Sequence, residues 1–477
     1  MNQIDSHFNF FLPQMSLTNQ KFTPLERRAV FGLSAIYGLR MFGLFLILPV
    51  LAIYAKELPG STPFLIGLTL GAYGITQALF QIPFGLMSDK FGRKRLITIG
   101  LGIFILGSLV AGFAENVYVM ILGRALQGSG AIAAAVLALT ADLTRENQRS
   151  KAMAIIGMSI GSSFMLAFIA ASPLVIWFGF SGLFFITAGL AVLAIMALWL
   201  YVPNQTPRSS RDVKFVANDF VKLLQHPNLM RLNIGIFVLH SVLTAMFVVV
   251  PLLLTERIGM VSSQHWKVYV PVMLLSVVFM VPLVLASANK ARVMRVFLIA
   301  VILLMLAQVI LFISKLDNVL SLSICLLVFF VGFNALEAML PSLVTRVAPA
   351  AMKGTAVGIY NTFQFSGVFI GGAVGGFLMG QSGANAVFVF CGLLLVLWAL
   401  VVILAPRILL FDTLMVKLLI NSDNQSKENS ARYDNLLNLD GVKDVTIIEE
   451  ESVAYLKVDK AEFDLTALSD LTFVDNR

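Results

Sequence analysis

Long apolar segments recur along the first 408 residues of this chain, and they constrain its fold more than any other feature. A helix needs about 20 consecutive apolar residues to cross the roughly 30 Å hydrocarbon core of a bilayer. Lipid offers no hydrogen-bond partner to the backbone, so each apolar segment is predicted to be a helix. Twelve spans are predicted, at residues 28–55, 63–88, 96–114, 116–140, 152–177, 181–202, 229–255, 267–288, 294–315, 318–345, 354–379 and 384–406. The predicted fold class is an all-α polytopic membrane protein.

Basic residues are concentrated in alternate loops between these spans, and this placement predicts the orientation of the chain. The loops that follow even-numbered spans contain several Lys and Arg residues each, whereas the other loops contain only Lys56, Arg257, Lys267 and Lys315. Because Lys- and Arg-rich loops stay in the cytoplasm, both termini are predicted to be cytoplasmic. The net charge of +8 is therefore spread over the ends of membrane spans. This distribution argues against nucleic-acid binding, which needs a basic surface on one soluble face.

The two halves of the apolar region are related by an internal repeat, a pattern typical of transporters. At an offset of 200 residues, Leu39-Arg40 matches Leu239-His240, Asp89-Lys90 matches Asn289-Lys290, and Arg95 matches Arg295. Each half contains six predicted spans. The predicted organisation is a cytoplasmic tail at 1–22, a six-helix bundle at 23–202, a cytoplasmic linker with a short helix at 203–228, a second bundle at 229–408 and a small cytoplasmic α+β module at 409–477.

The segment GLMSDKFGRKR, Gly85 to Arg95, places five charged residues between two apolar runs. Its pattern, Gly85-x3-Asp89-Lys90-x-Gly92-Arg93-Lys94-Arg95, resembles the signature between helices 2 and 3 of the major facilitator superfamily. In the fourth span, Arg124-x2-Gln127-Gly128-x-Gly130-Ala131 resembles a second motif of that family. With the twelve spans and the central linker, the resemblance covers most of the chain. It implies two six-helix bundles in a bacterial inner membrane.

The resemblance also implies a gate at the cytoplasmic end of the second span. In the outward-facing state, Asp89 is expected to meet the N-terminal end of helix 11. A helix N-terminus favours a nearby carboxylate by about 0.3–1 kcal/mol when exposed and by up to about 2 kcal/mol when partly buried. The alternative is that these charges only mark the cytoplasmic side, a role that needs neither a carboxylate nor a glycine. The predicted gate residues are Gly85, Asp89, Lys90, Gly92, Arg93, its partner Asp142, and Lys353 and Gly354 at the start of helix 11.

Four ionisable side chains are predicted inside the spans: Arg40, Arg124, His240 and Glu337. A charge at mid-membrane costs about 2.5–3.5 kcal/mol on insertion scales and is retained mainly for function. His240 and Glu337 are the candidate proton carriers. The structural alternatives are that His240 is a hydrogen-bonded packing histidine and that Glu337 forms an ion pair between helices.

Arg40 has two interpretations, as a ligand for an anionic substrate group or as the counter-ion of Glu337. Arg124 is interpreted, by the resemblance, as an element that couples helix 4 to the transport cycle. Tyr73, Gln77 and Gln81 lie at helical spacing and predict a polar, cavity-facing stripe on the second span, with a packing role as the alternative for Gln81. Asn334 lies one helical turn before Glu337.

After residue 408 the apolar spans give way to short β-rich runs, LMVKLLI, GVKDVTIIE and SVAYLKVD, with the helical segments DNLLNL and DLTALSDL between and after them. This β-α-β-β-α order predicts an incomplete ferredoxin-like module. GVKDV resembles the opening of heavy-metal-associated domains, but no CxxC precedes it, so no metal site is predicted. A regulatory, ligand-binding or self-association role is expected.

Enzyme signatures are absent from the sequence: there is no GxxxxGK[ST] loop, no HExxH and no GxSxG with partner residues. No cofactor is predicted. We therefore expect a secondary active transporter for a small molecule, driven by protons and working as an exporter. In span 5 the Gly-Pro pair of drug antiporters is replaced by Ser172-Pro173, which weakens the antiport interpretation. The alternatives are a proton-coupled importer, a transporter-like sensor that signals through the C-terminal module, and a passive channel.

Overall fold

The structure is a computed structural model that describes residues 21–204, 217–287, 289, 292–314, 318–349, 352–405, 412–418, 433–448, 453–459, 462–464 and 468. It contains two compact units. The membrane unit comprises Pro24–Ala348 and Met352–Ile408, and the second unit contains the C-terminal sheet. Most of the predicted N-terminal tail and the first part of the predicted linker lie outside the described residues.

The membrane unit is helical throughout. Its first half contains α1 Pro24–Lys56, α2 Pro63–Phe91, α3 Arg93–Gly112, α4 Val117–Ser129, α5 Ala133–Asp142 and α6 Glu146–Leu200. Its second half contains α7 Ala217–Gln225 in the linker region, α8 Pro227–Leu252, α9 Trp266–Ser287, α10 Val293–Ile313, α11 Val319–Val347, α12 Lys353–Ser382 and α13 Ala384–Leu404. Within the described residues, eleven helical stretches are long and apolar enough to cross a membrane.

Polar residues set the starts of several helices where the chain turns at the membrane surface. Thr62 accepts a hydrogen bond from the Leu65 amide, and Pro63 follows it at the first helical position. Asn116 accepts from the amides of Tyr118 and Val119. These caps satisfy amides that have no partner within the helix. Helix starts could therefore be read from the sequence to within a few residues.

Two predicted boundaries differ from the structure. The fourth span, predicted as one helix, is interrupted at residues 130–132 between α4 and α5. The fifth and sixth spans, predicted as separate helices, follow each other in the 55-residue element α6, in which a non-helical Gly179 (φ 71°, ψ 173°) marks a kink between two helices. A straight helix of that length would measure about 80 Å, more than twice the hydrocarbon core. Gly179 lies in the predicted gap between the two spans. The kink occurs at a glycine because only glycine adopts that backbone conformation without strain.

The two ends of the membrane unit are named here after one residue each. The Lys56 end contains the end of α1, the start of α2 and the end of α12. The Asp89 end contains the end of α2, the end of α5 and the start of α12.

Glycines bring α2 and α12 together at the Lys56 end. A Cβ added at Gly67 would lie 2.1 Å from the carbonyl oxygen of Gly372, and one at Gly74 would lie 2.6 Å from that of Phe365. Real side chains are not tolerated at such distances, so the two backbones touch only because both helices carry glycine here. This is a direct contact between the two halves.

Towards the Asp89 end the glycines of α12 make no comparable contact. A Cβ added at Gly354 or Gly358, in the first turns of α12, would meet no described atom within 4 Å. On α2, Leu79 and Met87 are 63% and 42% exposed. The close backbone contact of α2 and α12 among the described residues is therefore found at the Lys56 end.

The C-terminal unit contains a three-stranded antiparallel sheet. Its strands are β1 Asp412–Lys417, β2 Val442–Ile448 and β3 Val453–Val458, in the order β1-β3-β2. A short helix at 433–437 lies between β1 and β2 in the chain, and Leu436 packs with Leu456 and Val458 in the core. The β-α-β-β order of the described residues is the predicted one, and most of the predicted final helix lies outside them.

Candidate functional site

A polar cluster in the second half joins three helices inside the membrane unit. The Gln364 amide nitrogen on α12 lies 2.8 Å from His240 Nε2 on α8 and donates to Glu337 Oε1 on α11 over 3.4 Å. His240 Nε2 and Glu337 Oε2 are 3.9 Å apart. The His240 side chain is 10% exposed and that of Glu337 is 34% exposed. The amide of Gln364 thus bridges the two groups that were predicted to carry protons.

Unsatisfied atoms remain in this cluster. Glu337 Oε2, His240 Nδ1 and the Tyr360 hydroxyl are buried without a hydrogen-bond partner among the described atoms. Nearby, the Asn334 amide donates to Ser276 Oγ over 2.9 Å, which holds α11 against α9. A carboxyl group with one free oxygen can accept a proton without breaking an existing bond, so the cluster is chemically suited to proton exchange.

A second polar cluster occupies the first half. Arg40 on α1 donates from Nη2 to the Tyr73 hydroxyl (3.0 Å), to Gln77 Oε1 (2.8 Å) and to the carbonyl oxygen of Gly130 (2.9 Å). Tyr73 and Gln77 are 1% and 0% exposed. Both side chains are thus buried in this structure, and the cavity-facing stripe stays a prediction. They face inward because the buried guanidinium requires hydrogen-bond acceptors.

Arg124 extends this cluster along α4. Its Nε donates to the carbonyl oxygen of Thr69 (3.2 Å), and its Nη1 donates to Gln127 Oε1 (2.7 Å). The Arg124 guanidinium also lies 5.2 Å from the centroid of the Tyr73 ring. Arg40 and Arg124 therefore share Tyr73 as a neighbour. Arg40 makes its hydrogen bonds within the first half, and no described contact joins it to Glu337, so its predicted role as the counter-ion of Glu337 does not fit this structure.

Aromatic side chains fill the space between the halves on the Lys56 side of the polar clusters. Phe168 of α6 lies 5.2 Å from Phe247 and 5.8 Å from Tyr269, both in the second half. Phe164 lies 6.0 Å from Phe333, whose ring is 5.9 Å from that of His240. This aromatic layer joins α6 of the first half to α8, α9 and α11 of the second.

Polar contacts also join the halves at the Lys56 end. Lys56, the last residue of α1, forms an ion pair with Glu256 just after α8. The hydroxyl oxygens of Tyr54 and Ser262 are 3.4 Å apart. Together with the glycine packing and the aromatic layer, these contacts close this end of the unit.

Charged residues at the Asp89 end pair within the first half. Arg93 Nη1 lies 2.5 Å from Asp89 Oδ1, and Arg93 Nε lies 2.6 Å from Asp142 Oδ2. Arg93 Nη1 also donates to Ser88 Oγ over 2.9 Å. Arg93 thus links the end of α2 to the end of α5.

The remaining predicted gate residues surround this pair. Gly92 connects α2 to α3 with a φ of 92°, which only glycine adopts readily. A Cβ at Gly85 would lie 3.3 Å from the Cβ of Ala134. Lys90 is exposed, with its Nζ 5.7 Å from the Phe91 ring centroid. Lys353 is the first residue of α12, and its side chain lies outside the described part.

Sequence reasoning missed two features of the site. Gln364 was not singled out, although an isolated amide in an apolar span is a recognisable signal. Glu256 was overlooked because only basic residues were counted in the loops. Outside the site, an ion pair between Glu26 Oε1 and Arg145 Nε (2.8 Å) joins α1 to the N-cap of α6.

Comparison with known proteins assigns the family. Residues 33–372 match the Major Facilitator Superfamily. The inner membrane transport protein YajR of Escherichia coli (strain K12) is 41% identical over 444 residues, which cover 93% of this chain and 96% of that protein. Multidrug resistance protein 2 of Bacillus subtilis (strain 168) is 28% identical over 371 residues, which cover 74% of this chain and 89% of that protein.

Solved structures share the fold. A bacterial homologue of the human lysosomal transporter Spinster, in its inward-facing and occupied conformation, matches with a TM-score of 0.64 at 15% sequence identity. The match covers 80% of this chain and 97% of that one. The chain therefore belongs to the Major Facilitator Superfamily, whose members are membrane transporters and not enzymes.

Proposed function

We propose that this protein is a proton-coupled exporter of a small molecule that works by alternating access across the bacterial inner membrane. The observation that carries the proposal is the cluster of Glu337, Gln364 and His240 inside the membrane unit, because an intramembrane carboxyl group is retained mainly for function. Glu337 binds a proton from one side of the membrane and releases it to the other. Gln364 contacts both groups, so a change in the protonation of Glu337 directly alters contacts with α8 and α12.

The proposed topology has twelve crossings, with α6 crossing twice around Gly179. Its length and the break at that glycine support this reading. The distribution of Lys and Arg supports a cytoplasmic location for the Asp89 end and for both termini. With that orientation, the structure corresponds to an inward-facing state, closed outside and open inside. In the outward-facing state, Asp89 moves against the start of α12 and its positive helix end.

Export is supported by the name of the Bacillus subtilis relative, a multidrug resistance protein. The name of the Escherichia coli relative supports an inner-membrane location. The membrane potential supplies about 2.3 kcal/mol per charge per 100 mV, so one proton per cycle drives a useful substrate gradient.

For the C-terminal unit we propose an incomplete ferredoxin-like fold. The strand order β1-β3-β2, with a helix between β1 and β2, supports a split β-α-β arrangement. The proposed role is regulation, by ligand binding or self-association.

The test is transport in proteoliposomes under an imposed pH gradient, against a panel of metabolites and cationic and anionic drugs. Proton movement is followed with an internal pH dye. The wild type accumulates at least one panel compound and moves protons in exchange. Glu337→Gln loses the pH-driven accumulation but keeps counterflow exchange, because the neutral side chain still permits rocking. Glu115→Gln, an exposed glutamate outside the cluster, is the matched control and behaves as the wild type.

Three outcomes contradict the proposal. Accumulation that survives in Glu337→Gln removes the proton-carrier role. Ligand binding without counterflow favours a sensor. Flux that is unchanged by both Glu337→Gln and Asp89→Asn indicates a passive channel.

A further inference from the structure

The first half of the membrane unit contains two buried arginines, Arg40 and Arg124, for which the described residues supply no carboxylate partner. We propose that Arg40 and Arg124 form a binding site for an anionic group of the transported molecule, so that the substrate class is small organic anions. This inference rests on the proposed transport function and specifies its substrate.

Charge balance is the first argument. Arg40 and Arg124 are each 1% exposed. None of the ion pairs among the described residues includes either of them. Moving an unpaired charge into an apolar interior is costly, and buried charges are normally paired. Two uncompensated guanidinium groups around one tyrosine are therefore unfavourable in the empty protein, and an anion would relieve that cost.

Unused hydrogen-bond donors are the second argument. All three hydrogen bonds of Arg40 come from Nη2, whereas its Nε and Nη1 are buried without a partner. Guanidinium groups form their strongest hydrogen bonds with carboxylate, sulfonate and phosphate oxygens. Arg40 therefore retains donors for a ligand even while it holds Tyr73 and Gln77.

The break between α4 and α5 is the third argument. The carbonyl oxygen of Gly130 in this break accepts from Arg40, so the guanidinium lies against the discontinuity. Helix α5 begins three residues later, at Ala133, and its N-cap Ile132 supplies no side-chain hydrogen bond. The N-terminus of a helix carries a partial positive charge, and broken membrane helices in transporters direct such ends at anionic substrate groups. The start of α5 therefore lies three residues from the carbonyl group that Arg40 contacts, and it adds backbone N–H groups to this region.

The position of this region relates it to the proton cluster. The Tyr73 ring, which contacts both arginines, lies 6.0 Å from the ring of Phe365 in the second half. Phe365 follows Gln364, which bridges His240 and Glu337. An anion bound to the first half thus lies beside the proton site, next to aromatic rings that can contact an apolar body.

The test uses the purified full-length chain in detergent and measures its melting temperature against ligand concentration. The probes are benzoate, benzenesulfonate and phenyl phosphate, with benzamide as the neutral isostere and benzylammonium as the cationic one. At least one of the anions stabilises the wild type, and neither benzamide nor benzylammonium does. Arg40→Gln removes a charge-assisted contact, so the dissociation constant of that anion should rise about tenfold or more.

Several variants keep the result interpretable. Arg124→Gln removes the other charge and also weakens binding, so the conclusion does not depend on the folding of Arg40→Gln. Gln308→Leu, which alters a buried amide on α10 in the other half, leaves anion binding unchanged. Glu337→Gln still binds the anion although it loses proton-driven transport, which separates failure of this inference from failure of the proposed function.

The inference is overturned if none of the anions stabilises the wild type more than benzamide does. It is equally overturned if the anion binds Arg40→Gln and Arg124→Gln as tightly as the wild type. In that case the two arginines only hold helices together.

Discussion

The two ends of the membrane unit hold their charged residues in opposite ways. At the Lys56 end, Lys56 of the first half pairs with Glu256 of the second, and glycines of α2 and α12 are in backbone contact. At the Asp89 end, the ion pairs of Arg93 with Asp89 and Asp142 lie within the first half. One end is thus closed by contacts between halves, while the described ion pairs of the other end stabilise one half internally.

This difference indicates which interactions a transport cycle must break. The Lys56–Glu256 pair has side chains that are 55% and 47% exposed, and exposed pairs contribute only about 0.2–1 kcal/mol. Glycine packing and the aromatic layer therefore provide most of the closure. The pairs at the Asp89 end can remain intact while the halves separate there, because both partners move together.

Gly67→Ala is expected to disturb the closed end most. A Cβ 2.1 Å from the Gly372 carbonyl oxygen forces α2 and α12 apart, and overpacking of this kind costs about 1–3 kcal/mol. The distance between spin labels at Tyr118→Cys and Val261→Cys, both exposed at this end, should lengthen in part of the population. Pulsed electron paramagnetic resonance measures this distance.

Gly102→Ala is the matched control. A Cβ there would meet no described atom within 4 Å, so the distance between the labels should not change. The higher helix propensity of alanine over glycine should stabilise the protein slightly. Equal behaviour of the two variants would show that the glycine contact does not close this end.

Glu26→Gln is expected to destabilise the first half without opening the Lys56 end. The buried Glu26 carboxylate accepts hydrogen bonds from the backbone nitrogen, Nε and Nη2 of Arg145. A neutral amide weakens these charge-assisted bonds, so the melting temperature should fall by several degrees. The label distance at the Lys56 end should stay as in the wild type. Glu57→Gln, an exposed glutamate, is the control, and an equal fall in that variant would contradict the role of the pair.

Asp142→Asn sharpens the comparison at the Asp89 end. Arg93 is only 17% exposed and Asp142 is 37% exposed, so the loss of the charged partner should cost about 1 kcal/mol of stability. Transport should slow, because α2 and α5 are less firmly joined when the halves close. Thermal unfolding and transport assays measure the two effects. Arg95→Gln changes an exposed arginine of the same motif and should leave both unchanged; if it slowed transport equally, net charge and not the pair would matter.

Lys56→Gln should have the smallest effect, about 0.2–1 kcal/mol, because salt and water already screen the pair. The same spin labels should show a slightly larger open fraction at low salt, and the difference should vanish at high salt. The exchange Lys56→Glu with Glu256→Lys should restore the wild-type distance. Failure of this exchange to restore it would show that the pair is not a contact between the halves.

Much of the fold could be predicted because membrane insertion depends on local composition. The predicted spans coincide with the observed helices to within a few residues in most cases, and the linker helix α7 was expected. The break within the fourth span was not predicted, since Gly130 and its neighbours look like ordinary small residues in an apolar run. Its break involves the Arg40 side chain, which comes from a helix 90 residues earlier.

The candidate site was predicted only in part. His240 and Glu337 stood out as ionisable residues in apolar segments, and the structure brings them together through Gln364. The partner of Arg40 could not be chosen from sequence, because the choice depends on which helix faces meet. Tyr73 and Gln77 were assigned to the correct helix and to a cavity-facing stripe, and in the structure they surround the buried guanidinium of Arg40.

The sequence by itself determined that this chain crosses a membrane many times, with charges concentrated at the ends of spans and a small β-containing module after them. These properties follow from sums over about 20 adjacent residues, which a linear sequence contains in full. The tertiary structure alone decided which end is closed, which glycines touch and which acceptors surround each arginine. Those outcomes depend on side chains that are distant in the chain and meet only when helices pack, so no local pattern encodes them.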